Sequence, residues 1–294
     1  MEEILTAYFT YLNQQEHLSQ NTIQSYQNDL KQYLHYVKTQ KMNHWNDVSR
    51  KVVIDFFSNL QKQEKAQATM MRMLSSVKKF HLYLQLQQIT EHNPTLQVEL
   101  AKKSSKVPEY LTLAEIEQIM QIPDASTVLG LRDRTMLELL YASGVRVSEF
   151  IELKLSEFNL VMGLLHLTGK GNRERIIPLG PSTLNWLKLY LEQARPQLIR
   201  DDSPYLFVNH RGKPFTRQGI WKIIKQIITE AKIEKSVTPQ TFRHSLAIHL
   251  LQNGADLATV QEILGHVDIS TTEIYVKMTK KRLSETYLKY FPRA

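Results

Sequence analysis

Only one stretch of this 294-residue chain carries a convincing β signal, and this limits the fold more than any other feature. Leu164–Thr168 (L-L-H-L-T) and Arg173–Pro178 (R-E-R-I-I-P) flank the turn Gly169-Lys170-Gly171-Asn172, so they read as a short hairpin with a lysine at its tip. Elsewhere apolar residues recur three and four positions apart, the period of a helix with one buried face. The chain is therefore expected to be mainly α, with a small antiparallel sheet.

Residues 1–100 read as helices throughout. Ile4, Tyr8, Tyr11 and Leu12 share one face of the first. Ser19 is placed to cap a second, along which Ile23, Tyr26, Leu30, Tyr33, Leu34 and Val37 recur. Val52, Phe56 and Phe57 mark a third, and Met70, Met73, Leu74, Val77, Phe80, Leu82 and Tyr83 a fourth. Four amphipathic helices in this length make a small bundle, with the aromatic and methionine positions as its core. Lys78 and Lys79 are expected to be solvent-exposed. Residues 101–108 (A-K-K-S-S-K-V-P) are polar and basic and end in proline, which suits a linker. Residues 109–294 then form a second domain. It opens on the capping box Thr112/Glu115 and carries a helix from about Leu131 that stops near Gly144. Further helices are expected through Trp186–Leu191, Trp221–Ile228 and Phe242–Leu251, and from an Asp256 cap to Gly265. Ser270 and Glu273 form another capping box, which places Tyr275 in a short helix of its own.

Net charge is +8, which points to a polyanionic partner. It is unevenly spread: residues 1–100 carry a net +1 and residues 101–294 a net +7. Cysteine is absent, which excludes disulfides and thiolate metal sites and is compatible with a reducing compartment. No apolar run approaches the ~18 residues of a membrane span. The first residues lack the basic-then-apolar order of a secretory signal, so a cytoplasmic protein without membrane partners is expected.

Arg146, Lys170, Arg243, His266 and Tyr275 are the residues with chemistry to offer. Phosphodiester transfer needs charge stabilisation on the non-bridging oxygens, an in-line nucleophile and a proton for the leaving oxygen. Arginine pairs bidentately with phosphate and keeps its charge. A lysine at a hairpin tip can serve as general acid. A tyrosine, with a pKa near ~10 in water, becomes nucleophilic where cations favour its ionised form. This set uses no metal or cofactor, and no carboxylate cluster suited to two Mg²⁺ ions is evident. Taken singly, each residue has a plainer reading. Arg146 and Arg243 could pair with Glu149 or other carboxylates, Lys170 could be solvated, His266 could cap a helix and Tyr275 could be core. His244 and His249 read as packing residues.

Five motifs stand in one order: G-V-R-V-S-E (Gly144–Glu149), T-G-K-G-N-R-E-R-I-I-P-L (Thr168–Leu179), F-R-H-S (Phe242–Ser245), L-G-H (Leu264–His266) and I-S-T-T-E-I-Y (Ile269–Tyr275). In this order the chain resembles the tyrosine recombinases, and within them the Xer subfamily, over nearly its whole length. The resemblance implies an N-terminal four-helix, SAM-like core-binding domain and an α-rich catalytic domain, closing as a C-shaped clamp on double-stranded DNA. It implies that Tyr275 is the nucleophile and leaves a 3′-phosphotyrosyl link. Arg146 and Arg243 would clamp the phosphate, His266 hydrogen-bond it, and Lys170 protonate the departing 5′-oxygen. It further implies resolution of chromosome dimers at a terminus site, within a tetramer of this chain or with a related recombinase, alongside a division-associated DNA translocase. A transposon or phage integrase is the rival within the family. One position departs from the family pattern: Gln240 stands where a histidine is usual, three residues before Arg243. Glutamine donates a hydrogen bond but exchanges no proton near neutral pH. A weakened enzyme is expected on this account, and a DNA-binding regulator without catalysis is the reading from another class.

Overall fold

The computed structural model describes residues 1–15, 18–100, 109–168, 174–200 and 202–265. Two compact units divide the chain, residues 1–105 and 106–294.

The first unit is a bundle of α1 (Glu2–Gln15), α2 (Gln20–Thr39), α3 (Arg50–Lys62) and α4 (Gln67–Leu86). Ser19 caps α2 by accepting a hydrogen bond from the Thr22 amide at 3.3 Å. Aromatic rings fill the centre: Tyr33 lies 5.1 Å from Phe56, and Trp45 lies 4.8 Å from Phe80, centroid to centroid. A buried hydrogen bond of 2.9 Å joins the Tyr33 hydroxyl to His81 Nε2, and burial lowers the His81 pKa to about 3, so the ring is neutral. Asp29 is also buried, 3.0 Å from an Arg72 guanidinium nitrogen, and burial raises its pKa to about 6 against the pull of that cation. Two expectations need correcting. Leu82 points to solvent and Leu84 takes the core position, because Leu84 and not Leu82 lies one turn beyond Phe80. Lys78 and Lys79 are half-buried, as a lysine's long apolar stem allows while its charged end stays in water.

In the second unit α5 (Leu113–Met120) starts at the expected capping box. The Glu115 amide donates to Thr112 Oγ1 at 3.2 Å, and the Thr112 amide donates to the Glu115 carboxylate at 2.7 Å. Next comes α6 (Val128–Ser143), buried on several faces through Leu131, Met136, Leu137, Leu139 and Leu140, which makes it the central helix of the unit. It ends at Gly144 in the left-handed conformation, φ 57°. Short α7 (Val147–Glu152) follows. The sheet has the expected hairpin, β2 (Leu164–Thr168) paired antiparallel with β3 (Glu174–Pro178), Thr168 opposite Glu174. A two-residue strand that the sequence did not announce, β1 (Phe158–Asn159), pairs with β2 on its other edge. The buried sheet face carries Leu165, Leu167 and Ile177.

Beyond the sheet, α8 (Pro181–Leu189) passes through a π turn at Tyr190–Ala194 into α9 (Arg195–Leu198). The last helices described are α10 (Arg217–Glu230), α11 (Pro239–Gln252) and α12 (Leu257–Leu264). Thr238 caps α11, Asp256 caps α12, and Gly265 ends α12 with φ 62°.

Candidate active site

Two helix ends supply the scaffold of the site. The last carbonyls of a helix lack intrahelical partners and carry the negative end of its dipole, so arginines are natural partners for them. Arg243, on the first turns of α11, is buried and donates to the Gly144 carbonyl at 2.5 Å. It also donates to the Leu264 carbonyl, the last of α12. Among the described residues, the carbonyls at the C-terminal ends of two helices are thus partners of Arg243. Arg146 lies just past Gly144 and donates to the Gly265 carbonyl at 3.0 Å and to Glu149 Oε1 at 3.0 Å. The two arginines therefore lace the ends of α6 and α12 together.

Glycine is needed at both ends. A Cβ on Gly144 would come within 2.9 Å of Leu246 and of Leu264 side-chain atoms, and one on Gly265 within 3.1 Å of Arg175. Both residues also have positive φ, which L side chains rarely adopt.

Glu149 connects three of these groups. Its Oε2 accepts from the Arg146 amide at 2.8 Å and from Arg175 at 2.7 Å, and its Oε1 accepts from Arg175 at 3.0 Å as well as from Arg146. Burial pushes this carboxyl up. Hydrogen bonds from Arg175 and the Arg146 amide, with the two guanidinium charges, outweigh that and hold it at about 2. The Arg146 side chain remains 42% exposed, whereas that of Arg175 is only 7% exposed. Arg146 is thus a cation still open to an anion from solvent.

Gln240 sits exposed on the first turn of α11, one turn ahead of Arg243. His244 is half-buried, and burial, then the neighbouring Arg243 charge, lower its pKa. His249 is buried, with the Tyr141 hydroxyl 2.8 Å from its Nδ1, which fits a packing role. Lys170, His266 and Tyr275 lie outside the described residues. Their flanks are described: Thr168 and Glu174 close the strand ladder on either side of residues 169–173, and Gly265 precedes His266. Arg175 was not among the expected site residues. Its signal was the alternation of β3, which puts it on the same face as Ile177.

Comparison with known proteins adds a second line of observation. A model of the phage integrase family matches residues 109–282, and one of the phage integrase N-terminal SAM-like domain matches residues 5–88. The chain is 45% identical to a protein of Oceanobacillus iheyensis named tyrosine recombinase XerD, covering 100% of both chains. It is 41% identical to the Staphylococcus epidermidis protein of the same name, again over 100% of both. Among solved structures it is similar to the XerH site-specific recombinase bound to a palindromic difH substrate in a post-cleavage complex. That likeness has 25% identity and a TM-score of 0.77, and covers 90% of this chain and 78% of the other.

Proposed function

We propose, from the premise that this chain belongs to the phage integrase family and is a tyrosine recombinase, that it resolves chromosome dimers at a replication-terminus site. Two arginines pinned by helix-end carbonyls, one of them still half-open to solvent, are the observation that carries this reading into chemistry. In the proposed reaction Arg146 and Arg243 hold the scissile phosphate and stabilise the charge that builds on its non-bridging oxygens. Their charges also favour the phenolate form of Tyr275, whose oxygen attacks phosphorus. The P–O bond to the 5′-oxygen breaks, Lys170 supplies the proton that leaves with it, and His266 hydrogen-bonds the phosphate. A 3′-phosphotyrosyl link and a free 5′-hydroxyl result. A 5′-hydroxyl from the other duplex then attacks the link and releases Tyr275. Each step exchanges one phosphodiester-type bond for another, so no ATP is consumed.

Residues 1–100 and residues 109–294 would both contact the duplex. Four protomers, all of this chain or two of a related recombinase, would synapse two sites in the cytoplasm, with a division-associated DNA translocase aligning them. Full-length identity to proteins named XerD supports this chromosomal role over that of a transposon or phage integrase. The test is a suicide substrate nicked just 3′ of the scissile phosphate, so that the short piece bearing the new 5′-hydroxyl diffuses away. The native chain is expected to accumulate a covalent DNA adduct, and Tyr275→Phe to bind the same DNA without forming one. An adduct that persists in the phenylalanine variant places the nucleophile elsewhere.

A further inference from the structure

Arg175 occupies a position where the strand pattern calls for an apolar residue. It lies on the buried face of β3, opposite Leu167 and in alternation with Ile177. Its planar fork takes both oxygens of Glu149, at 3.0 and 2.7 Å. Arg146 is left with a single side-chain contact to that carboxylate, at 3.0 Å, and places its other terminal nitrogen on the Gly265 carbonyl. The three side chains hold two positive charges and one negative, a net +1 beside the surface that Arg146 exposes.

We propose that Arg175 is a positioning residue that keeps Glu149 from capturing Arg146, so that the Arg146 guanidinium stays available to an anionic phosphate. Glu149 remains ionised over the whole working range, with its pKa held at about 2. Without Arg175 its nearest cation is Arg146, and the fork–fork pairing now made by Arg175 passes to that residue. The cluster then becomes neutral, and phosphate must compete with an intramolecular carboxylate. Gly265 permits this arrangement, since a Cβ there would reach within 3.2 Å of the Arg175 Nη1. The proposal rests on the reading of Arg146 as a phosphate ligand for its consequence, although the capture itself does not.

Two measurements on the full chain separate those parts. The first is the rate at which phenylglyoxal modifies Arg146, followed by peptide mass spectrometry without DNA. Arg175→Met keeps an apolar-compatible side chain on the strand face and is expected to slow that modification about tenfold, because a bidentate carboxylate shields the guanidinium. Arg175→Lys is expected to fall between the two, since it keeps the charge without the fork. The double variant Arg175→Met/Glu149→Met is expected to return Arg146 to at least the native rate. An unchanged Arg146 rate in Arg175→Met overturns the proposal, whatever the chain does to DNA.

The second measurement is single-turnover cleavage of the nicked substrate at saturating DNA, below the melting temperature of each variant. Loss of one electrostatic contact to the transition state predicts a fall of about 10–100-fold in Arg175→Met, with DNA affinity changed less than about threefold. Partial recovery is expected in the double variant. Slow cleavage that the double variant fails to restore, despite restored melting temperature, also overturns the proposal. So does cleavage by Arg175→Met within threefold of native. Should the native chain form no adduct at all, the proposed function falls, while the Arg146 modification rates still decide whether Arg175 governs Arg146.

Discussion

Gln240 stands exposed on the first turn of α11, one turn ahead of the buried Arg243, which the proposed reaction assigns to the scissile phosphate. In the proposed reaction an amide there can orient a phosphate oxygen but cannot accept the proton of Tyr275. Gln240→His is therefore expected to speed single-turnover cleavage, by up to the ~10²-fold at the lower end of general-base catalysis. The sign with pH follows from the base. An imidazole accepts a proton only when neutral, so the gain should be small at pH 5.5 and grow as pH rises through ~6.5. Equal rates for the two proteins across pH 5.5–8.5 would mean that the histidine has no proton to take. Single residues were unevenly legible in the sequence. Arg146 and Arg243 stood out because their motifs did, yet their partners did not. A cation usually suggests a carboxylate, whereas Arg243 also donates to two carbonyls at helix ends, Gly144 and Leu264, far from it along the chain. Arg175 was legible in principle, by its parity with Ile177, because an arginine on a buried strand face needs buried acceptors, which Glu149 supplies.

At the scale of elements, the C-termini of α6 and α12 matter most, since their last carbonyls hold both arginines. Gly144→Ala tests that coupling. A left-handed alanine costs about 1–2 kcal/mol before any clash. The added Cβ also meets the Cδ2 methyls of Leu246 on α11 and Leu264 on α12 at 2.9 Å, so those side chains must give way at the junction that holds Arg243. Gly254 is the control, with φ 92° and no atom within 4 Å of an added Cβ. Gly144→Ala is expected to lower the melting temperature further than Gly254→Ala and to slow cleavage, with Gly254→Ala near the native rate. Equal effects of the two substitutions on melting and on cleavage would show that the helix ends do not set the arginines. Elements announced by local chemistry were readable beforehand: the hairpin by its turn, and α2, α5 and α12 by their caps. The two-residue β1 was not, because nothing in Phe158–Asn159 differs from a loop until β2 lies beside it. The π turn at Tyr190–Ala194 was equally silent, since it continues the helical pattern with one residue to a turn too many.

At the scale of the whole molecule, the chain is a small aromatic-centred helical unit followed by a larger helical unit with a three-stranded sheet. The excess of positive charge lies almost entirely in residues 101–294, which also carry every residue assigned to the reaction. No helix among the described residues is long and apolar enough to cross a membrane. Such an allocation suits a protein whose second unit handles phosphate chemistry, and it leaves one claim on which everything else depends. That claim is a covalent bond between DNA and Tyr275. The direct measurement is the intact mass of the native chain after incubation with a nicked terminus-type site in EDTA, followed by peptide mapping. The account predicts a mass increase equal to the 3′-phosphorylated fragment less one water, carried by the peptide that contains Tyr275, with a free 5′-hydroxyl on the released strand. An unshifted mass under conditions where the DNA is bound, or an adduct on any other residue, would contradict it.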